Sequence, residues 1–358
     1  MLVEIDGSLL EGGGQILRVS AALSAVTGTP LRIFNVRAKR SPSGLRPQHL
    51  AAVRSVTELT NAEVQGFKIG SREVEFTPRS SKGGVFLFDI GSAGSVTLTL
   101  QAFLPTATFA STKVEVEIHG GTNNPWAPPI EYLQSILFPT LNKIGFKGSV
   151  TLVKRGFYPT GGGIVKVNVE PTKKLNPLEM VNGGKVLHVS GISHSSKLPS
   201  HIVERMAKAA GDRLKGFGIQ DLEIITKSSQ PENEVCAIDS GCGIFLLAEL
   251  DNGALIGSDS LGSIGKPAEK VGREVADNLI RELETGASVD RHLADQLIIW
   301  MSLADGISTI STSELTSHTA TCIEICRKFI DAKFEVEGKL GEKATIKCHG
   351  VGFENKFS

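Results

Sequence analysis

The sequence predicts an α/β (α+β) fold: sheets with helices packed on one face, repeated three times with approximate internal symmetry, plus a smaller inserted α/β domain. Three observations predict it. A helix-like segment followed by a short link and a strand-like segment occurs three times. Alternating strands lie between those helices. The recurrence then breaks off after Pro171, where KKLNPLEMVNGGK reads as a linker into a stretch with strands and a helix of its own. The expected division is residues 1–183 for repeats one and two of the main domain, 184–274 for the insert, and 275–358 for the third repeat.

The first copy is QHLAAVRSVTELTNAEVQG from Gln48, where Leu50, Val53, Val56 and Leu59 form an apolar stripe near the helical period. The second is PPIEYLQSILFPTLNKIGFKGSVTL from Pro128; its prolines suit a helix start, and Ile144-Gly145-Phe146 marks the turn into a strand. The third is SHTATCIEICRKFIDAKFEVEG from Ser317. A further segment precedes copies two and three, SAGSVTLTLQAFLP at 92–105 and HLADQLIIWMSLADG at 292–306. Strand alternation is clearest at 113–118 and 164–169. Within the insert, strands are expected at 185–190, 222–226 and 243–250 and a helix at 201–215. The main domain is expected to resume at a helix starting around 266–270.

At 358 residues, with 41% hydrophobic and 21% charged residues, the composition is that of a soluble globular protein. No apolar run reaches the ~20 residues that span a bilayer, and MLVEIDGSLLEGGG has no basic start followed by an apolar stretch, so a cytoplasmic or nuclear protein is expected. The five cysteines are odd in number and have no paired CxxC spacing, so neither a disulfide framework nor a zinc ribbon is indicated. Lys plus Arg equals Asp plus Glu at 38 each. With no overall positive field, a nucleic acid would be bound locally, at a chain end rather than along a duplex.

Glu11-Gly12-Gly13-Gly14-Gln15-Ile16-Leu17-Arg18 leads into a helix. Glycines there let backbone N–H groups approach a phosphate, though such a cluster also makes an ordinary turn. It matches neither GxxxxGK[ST] nor GxGxxG. Glu11 offers oxygens to a hard metal ion. The basic run from Arg37 through Lys39, Arg40 and Arg46 to His49, with Arg18, supplies guanidinium groups able to grip phosphates, unless it is simply a solvated loop. Three histidines, His49, His292 and His318, fall at expected helix starts, where histidines more often cap or pack than react. Thr316 or Ser317 can cap the helix of His318, whose positive end keeps the imidazole neutral and able to attack phosphorus. His292 shares a helical face with Asp295 and Gln296, and residue spacing does not choose between the two.

The motifs EGGGQILR, GLRPQHLAAV, GSAGSVTLTLQAFLP, GGTNNPWAPP, RGFYPTGGG and HLADQ, followed by SHTATC, resemble the RNA 3'-terminal phosphate cyclase family in order and spacing over residues 4–334. The resemblance implies three repeats, each similar to the C-terminal domain of translation initiation factor three, and a small inserted α/β domain. It implies ATP and Mg²⁺ or Mn²⁺ as cofactors and an RNA with a 3'-terminal phosphate as partner, without a membrane. By the same resemblance His318 is the residue that becomes adenylylated and Glu11 the metal ligand. Gln15, Arg18, Arg37, Arg40, Gln48, His49, Gln101, Asp295 and Gln296 line the nucleotide and phosphate site. Pro128 and Pro129 pack on adenine or ribose, and His292 joins the adenine pocket. Cyclase-like relatives that act in ribosome assembly lack the histidine at this position, so His318 with Glu11, Arg18 and Arg40 points to the enzyme. Enolpyruvyl transferases share the repeat architecture, but none of their motifs is present. A homo-oligomer stays open, and protein partners are unspecified.

Overall fold

The computed structural model describes residues 2–355. Its chain order explains the recurrence seen in the sequence. The first unit runs β1 (Val3–Asp6), α1 (Gly14–Thr27), β2 (Leu31–Phe34), α2 (Pro47–Thr60), β3 (Glu63–Gln65), β4 (Val74–Thr77). The second runs β5 (Gly84–Asp89), α3 (Val96–Thr108), β6 (Val114–Gly120), a helical stretch, β7 (Lys147–Lys154), β8 (Gly163–Glu170). That stretch is α4 (Ile130–Tyr132), a π turn over Leu133–Leu137 and α5 (Phe138–Lys143). Pro139 has no N–H to donate back along the helix, and the wider π turn just before it absorbs the missing bond.

The two sheets have the same strand order, β1-β2-β4-β3 and β5-β6-β8-β7, each with a parallel first pair and antiparallel pairs after it. A third sheet repeats the pattern, but its first strand, β9 (Glu179–Met180), is separated from the rest of its unit by the insert. The insert contains β10 (Val186–Ser196), α6 (His201–Phe217), β11 (Leu222–Ser229), β12 (Gly241–Leu250), β13 (Leu255–Leu261) and α7 (Ala268–Glu284). The third unit then continues with α8 (Arg291–Leu303), β14 (Asp305–Thr312), α9 (Ser317–Phe329), β15 (Lys333–Glu337) and β16 (Ala344–Val351). The insert's own sheet is ordered β11-β10-β12-β13, unlike the other three. Among the described residues no helix is long and apolar enough to cross a membrane.

One expectation is corrected. The helix beginning near 266–270 exists, but it does not return the chain to the main domain: α7 packs on α6, β12 and β13. Its buried stripe of Val271, Val275 and Leu279 belongs with Val203, Met206 and Leu214 of α6. A Cβ at Gly272 would stand 2.2 Å from the Met206 carbonyl oxygen, so glycine is what lets the two helices meet this closely. The insert's packing unit therefore runs to Glu284. A helical stripe announces a buried face, but not which sheet the face will cover.

Helices from all three units meet at the centre, α1 packing on α3 and α9, and α8 on α9. This brings the N-termini of segments far apart in sequence to one cleft. Two buried polar junctions hold the insert over it. Asp290 caps α8 by accepting from the His292 and Leu293 amides at 2.9 Å, and it also accepts from Tyr132 Oη at 2.6 Å and from the Gly257 amide of β13 at 3.3 Å. At the second junction, Arg155 pairs with the Glu131 carboxylate and donates to Asn123 Oδ1 at 3.1 Å, while Asn123 Nδ2 donates to Glu131 at 3.1 Å and lies 3.4 Å from Nε2 of His194 on β10.

Candidate active site

A cavity of about 620 Å³ opens between the main domain and the insert, within the size range of small-molecule sites. Eight of the residues singled out by sequence line it: Gln15, Arg18, Gln101, Pro128, His292, Asp295, Gln296 and His318. Glu11, Arg37, Arg40, Gln48, His49 and Pro129 are not part of that lining. Pro129 is the residue before α4, and Gln48 lies beside Gly94. Arg37 braces its own loop, donating to the Pro42 and Gly44 carbonyls at 2.8 and 3.0 Å.

His318 sits in the first turn of α9, whose N-cap Thr316 accepts from the Thr319 amide at 3.1 Å. Its Nδ1 is hydrogen-bonded to Gln15 Oε1. A carbonyl oxygen can only accept, so Nδ1 carries the proton and Nε2 keeps a free lone pair. The amide is held in that sense by its other end, where Gln15 Nε2 donates to Cys322 Sγ at 3.0 Å, one turn further along α9. Burial lowers the His318 pKa, with Arg18, Arg40 and His292 adding to the effect and Glu11 opposing it. The imidazole is therefore neutral at pH 7.

The glycine cluster has a geometric purpose. Gly13 precedes α1 and supplies no side-chain cap, so the first amides of the helix stay open to an anion. A Cβ on Gly13 would fall 2.2 Å from the Glu11 carboxylate, and one on Gly14 would fall 2.3 Å from His49 Nε2. Arg18, buried one turn into α1, donates through Nε to Gln101 Oε1 at 2.8 Å; burial brings its pKa down to about 10, still cationic at neutral pH. His49 accepts from the Arg46 amide through Nδ1 at 3.2 Å, and burial followed by Arg18, Arg37 and Arg46 pushes its pKa down to about 3. It thus presents a neutral Nε2–H beside α1. Arg40 pairs with one oxygen of Glu11, whose other oxygen, Oε2, is buried without a hydrogen-bond partner among the described residues.

The opposite wall differs in charge. Burial raises Asp295 to about 7 and Asp259 to about 6, and His292 favours the charged form of both. Asp259, Ser260, Lys266 and Glu274 come from the insert, and sequence reasoning missed them as site residues because nothing in their spacing reports that β13 and α7 fold over the cleft. Tyr132 and Trp126 were missed as well, although each lies inside a quoted motif, PPIEY and GGTNNPWAPP.

A family model described as RNA 3'-terminal phosphate cyclase matches residues 9–336. This chain belongs to the RNA 3'-terminal phosphate cyclase family. Relatives named RNA 3'-terminal phosphate cyclase from Ignicoccus hospitalis and Staphylothermus marinus are each 45% identical to it, and one from Methanopyrus kandleri is 44% identical; each alignment covers 98% of this chain and 99% of the relative. The fold also aligns with the enolpyruvyl transferase NikO from Streptomyces tendae, at a TM-score of 0.39 and 11% identity over 99% of this chain and 49% of that one. That likeness is too loose to carry an argument. As a member of the cyclase family, the chain has His318, Gln15 and Arg18 converging on one cavity.

Because Gln15 selects the His318 tautomer, Gln15→Leu should slow any reaction at Nε2 by roughly 10- to 100-fold while the protein stays folded. Rates of His318 modification by an electrophile such as diethyl pyrocarbonate, followed by peptide mapping, would measure this. An unchanged rate would mean that the tautomer is set elsewhere.

Proposed function

We propose that this protein closes the 3'-terminal phosphate of an RNA to a 2',3'-cyclic phosphate at the expense of ATP, with His318 as the nucleophile. The observation that carries this is the neutral imidazole held through Nδ1 by Gln15, with Nε2 free and Arg18 and Arg40 nearby. His292, the rival, is flanked by Asp259 and Asp295, carboxyl groups that would repel a triphosphate once ionised.

In the first step the Nε2 lone pair attacks the α-phosphorus of ATP. A P–N bond forms, the α–β phosphoanhydride bond breaks, and pyrophosphate leaves. The proton stays on Nδ1, and the Gln15 carbonyl stabilises the positive charge that develops on the ring. Arg18 and the open amides of α1 balance charge on the leaving phosphates. Next, an oxygen of the RNA phosphate attacks the same phosphorus, the P–N bond breaks and neutral His318 is restored, leaving RNA(3')pp(5')A. The neighbouring 2'-OH then attacks the RNA phosphorus, releasing its proton to solvent and expelling AMP. Its position on the same ribose makes that step intramolecular.

Glu11 fits a metal role, since its buried Oε2 has no hydrogen-bond partner among the described residues. Mg²⁺ or Mn²⁺ bound there would neutralise charge on the triphosphate. A protein that acts on RNA ends would work where RNA is processed, and we read it as cytoplasmic.

The direct test is incubation of the purified protein with ATP labelled at the α-phosphate and Mg²⁺, without RNA, followed by denaturing electrophoresis. An acid-labile, base-stable label is the expected result. No label, with ATP binding confirmed separately, would return the chain to the noncatalytic, ribosome-assembly kind of relative. The pH dependence follows from the lowered His318 pKa. The reactive form is the deprotonated one, so labelling should hold from neutral pH down past the ordinary histidine value of 6.5 and fall only as pH drops through the depressed value. An acid limb centred above 6.5 would contradict this.

A further inference from the structure

The loop carrying GGTNNPWAPP does more than wall the cavity. Trp126 belongs to the cavity lining and yet is 98% exposed, which places its indole at the rim rather than inside. The chain has two tryptophans, and the other, Trp300, is 3% exposed and packed edge-on against Phe146. The backbone at Trp126 has φ +63°, a left-handed conformation that a bulky residue adopts at a cost. The loop is pinned on both sides: the Asn124 side-chain amide donates to the Ala93 carbonyl, and the Pro128 carbonyl accepts from Thr97 Oγ1 at 2.7 Å. A strained backbone in a braced loop thus holds a large aromatic face in water at the mouth of the site.

We propose that Trp126 is the stacking platform for a nucleobase at the 3' end of the RNA substrate. This rests on the reading above, in which His318 takes AMP from ATP and a phosphate oxygen of the RNA end then attacks the same phosphorus. A terminal phosphate that reaches the phosphorus next to His318 leaves its base and the preceding nucleotide at the rim. Aromatic side chains hold single-stranded RNA there by stacking, which tolerates any base because every base has a π-face. It also suits a protein with no net positive charge, whose hold on RNA has to be local.

The test compares wild type, Trp126→Ala and Trp126→Phe in the full chain. A short single-stranded RNA with a 3'-phosphate, added without ATP, should quench tryptophan fluorescence of wild type and leave Trp126→Ala, which retains buried Trp300, unchanged. Trp126→Ala should lower kcat/KM for that RNA about 5- to 150-fold more than it lowers the rate of labelling by ATP alone, chiefly through KM, and Trp126→Phe should recover most of the loss. Equal losses in RNA use and ATP labelling would assign the ring to the adenine of ATP or to the fold and overturn the proposal, as would no loss in either. If wild type neither labels nor cyclises, the proposed function falls. The fluorescence titration still decides this inference separately, quenching by RNA supporting it and its absence ending it.

Discussion

His318→Ala is expected to abolish labelling of the protein by ATP and, with it, turnover of RNA ends, a loss of roughly 10⁴-fold or more, since the side chain that forms the covalent bond is gone. Its neighbours do not replace it. Cys322, one turn along α9, has its thiol pKa raised well above the ordinary value by burial, and His49 faces α1 with a proton on Nε2. The fold should be nearly untouched, with a stability change within about 1 kcal/mol, because α9 keeps its Thr316 cap and its buried face of Cys322, Ile325 and Cys326. Parallel labelling and thermal unfolding of wild type and variant would check both halves. Wild-type-like labelling by a folded His318→Ala would end the mechanism.

Arg155→Met should be strongly destabilising although the side chain lies outside the hydrophobic core. It removes the cation from a buried pair whose side chains are 13% and 8% exposed, leaving the Glu131 carboxylate with only neutral hydrogen-bond donors, the Asn123 amide and its own backbone N–H, at the junction with the insert. Stranding a buried charge in this way costs about 3–5 kcal/mol. The pH dependence gives the cause away. In wild type, burial tends to raise the Glu131 pKa, but the Arg155 guanidinium outweighs it and holds the value below normal, so this stabilisation is present at neutral pH and fades as pH falls through the depressed value. Without Arg155, burial raises the Glu131 pKa, and the variant gains stability as it takes up a proton on acidification. The gap between the two proteins should therefore narrow from pH 7.5 to pH 5.5 in denaturant unfolding. Adding Glu131→Gln to the variant should recover part of the loss at neutral pH, since a neutral amide is cheaper to bury. A difference below about 0.5 kcal/mol for Arg155→Met would show that the pair is dispensable.

Much of the fold is legible along the chain because helix and strand periods are local. The stripe from Leu50 to Leu59, the strands around Val114 and Val165, and the insert helix from His201 all lie where their patterns put them. The placement of α7 was not legible, since the period of Val271, Val275 and Leu279 is the same whichever sheet they cover. The site divides in the same way. Glu11, Gln15, Arg18, His292 and His318 stand out because glycine clusters, helix starts and long motifs mark them, whereas Asp259 and Lys266 lie in β13 and just before α7, where no local pattern marks them as facing the cleft.

The sequence by itself determined the architecture, the family and a set of reactive residue types. Only the tertiary structure decided that, of the two rival histidines His292 and His318, it is His318 whose Nδ1 proton is held by a carbonyl. Gln15 and His318 are 303 positions apart, and their hydrogen bond exists because α1 packs on α9. Tautomer, burial and lowered pKa are set by neighbours in space, so they come into being only when those helices meet.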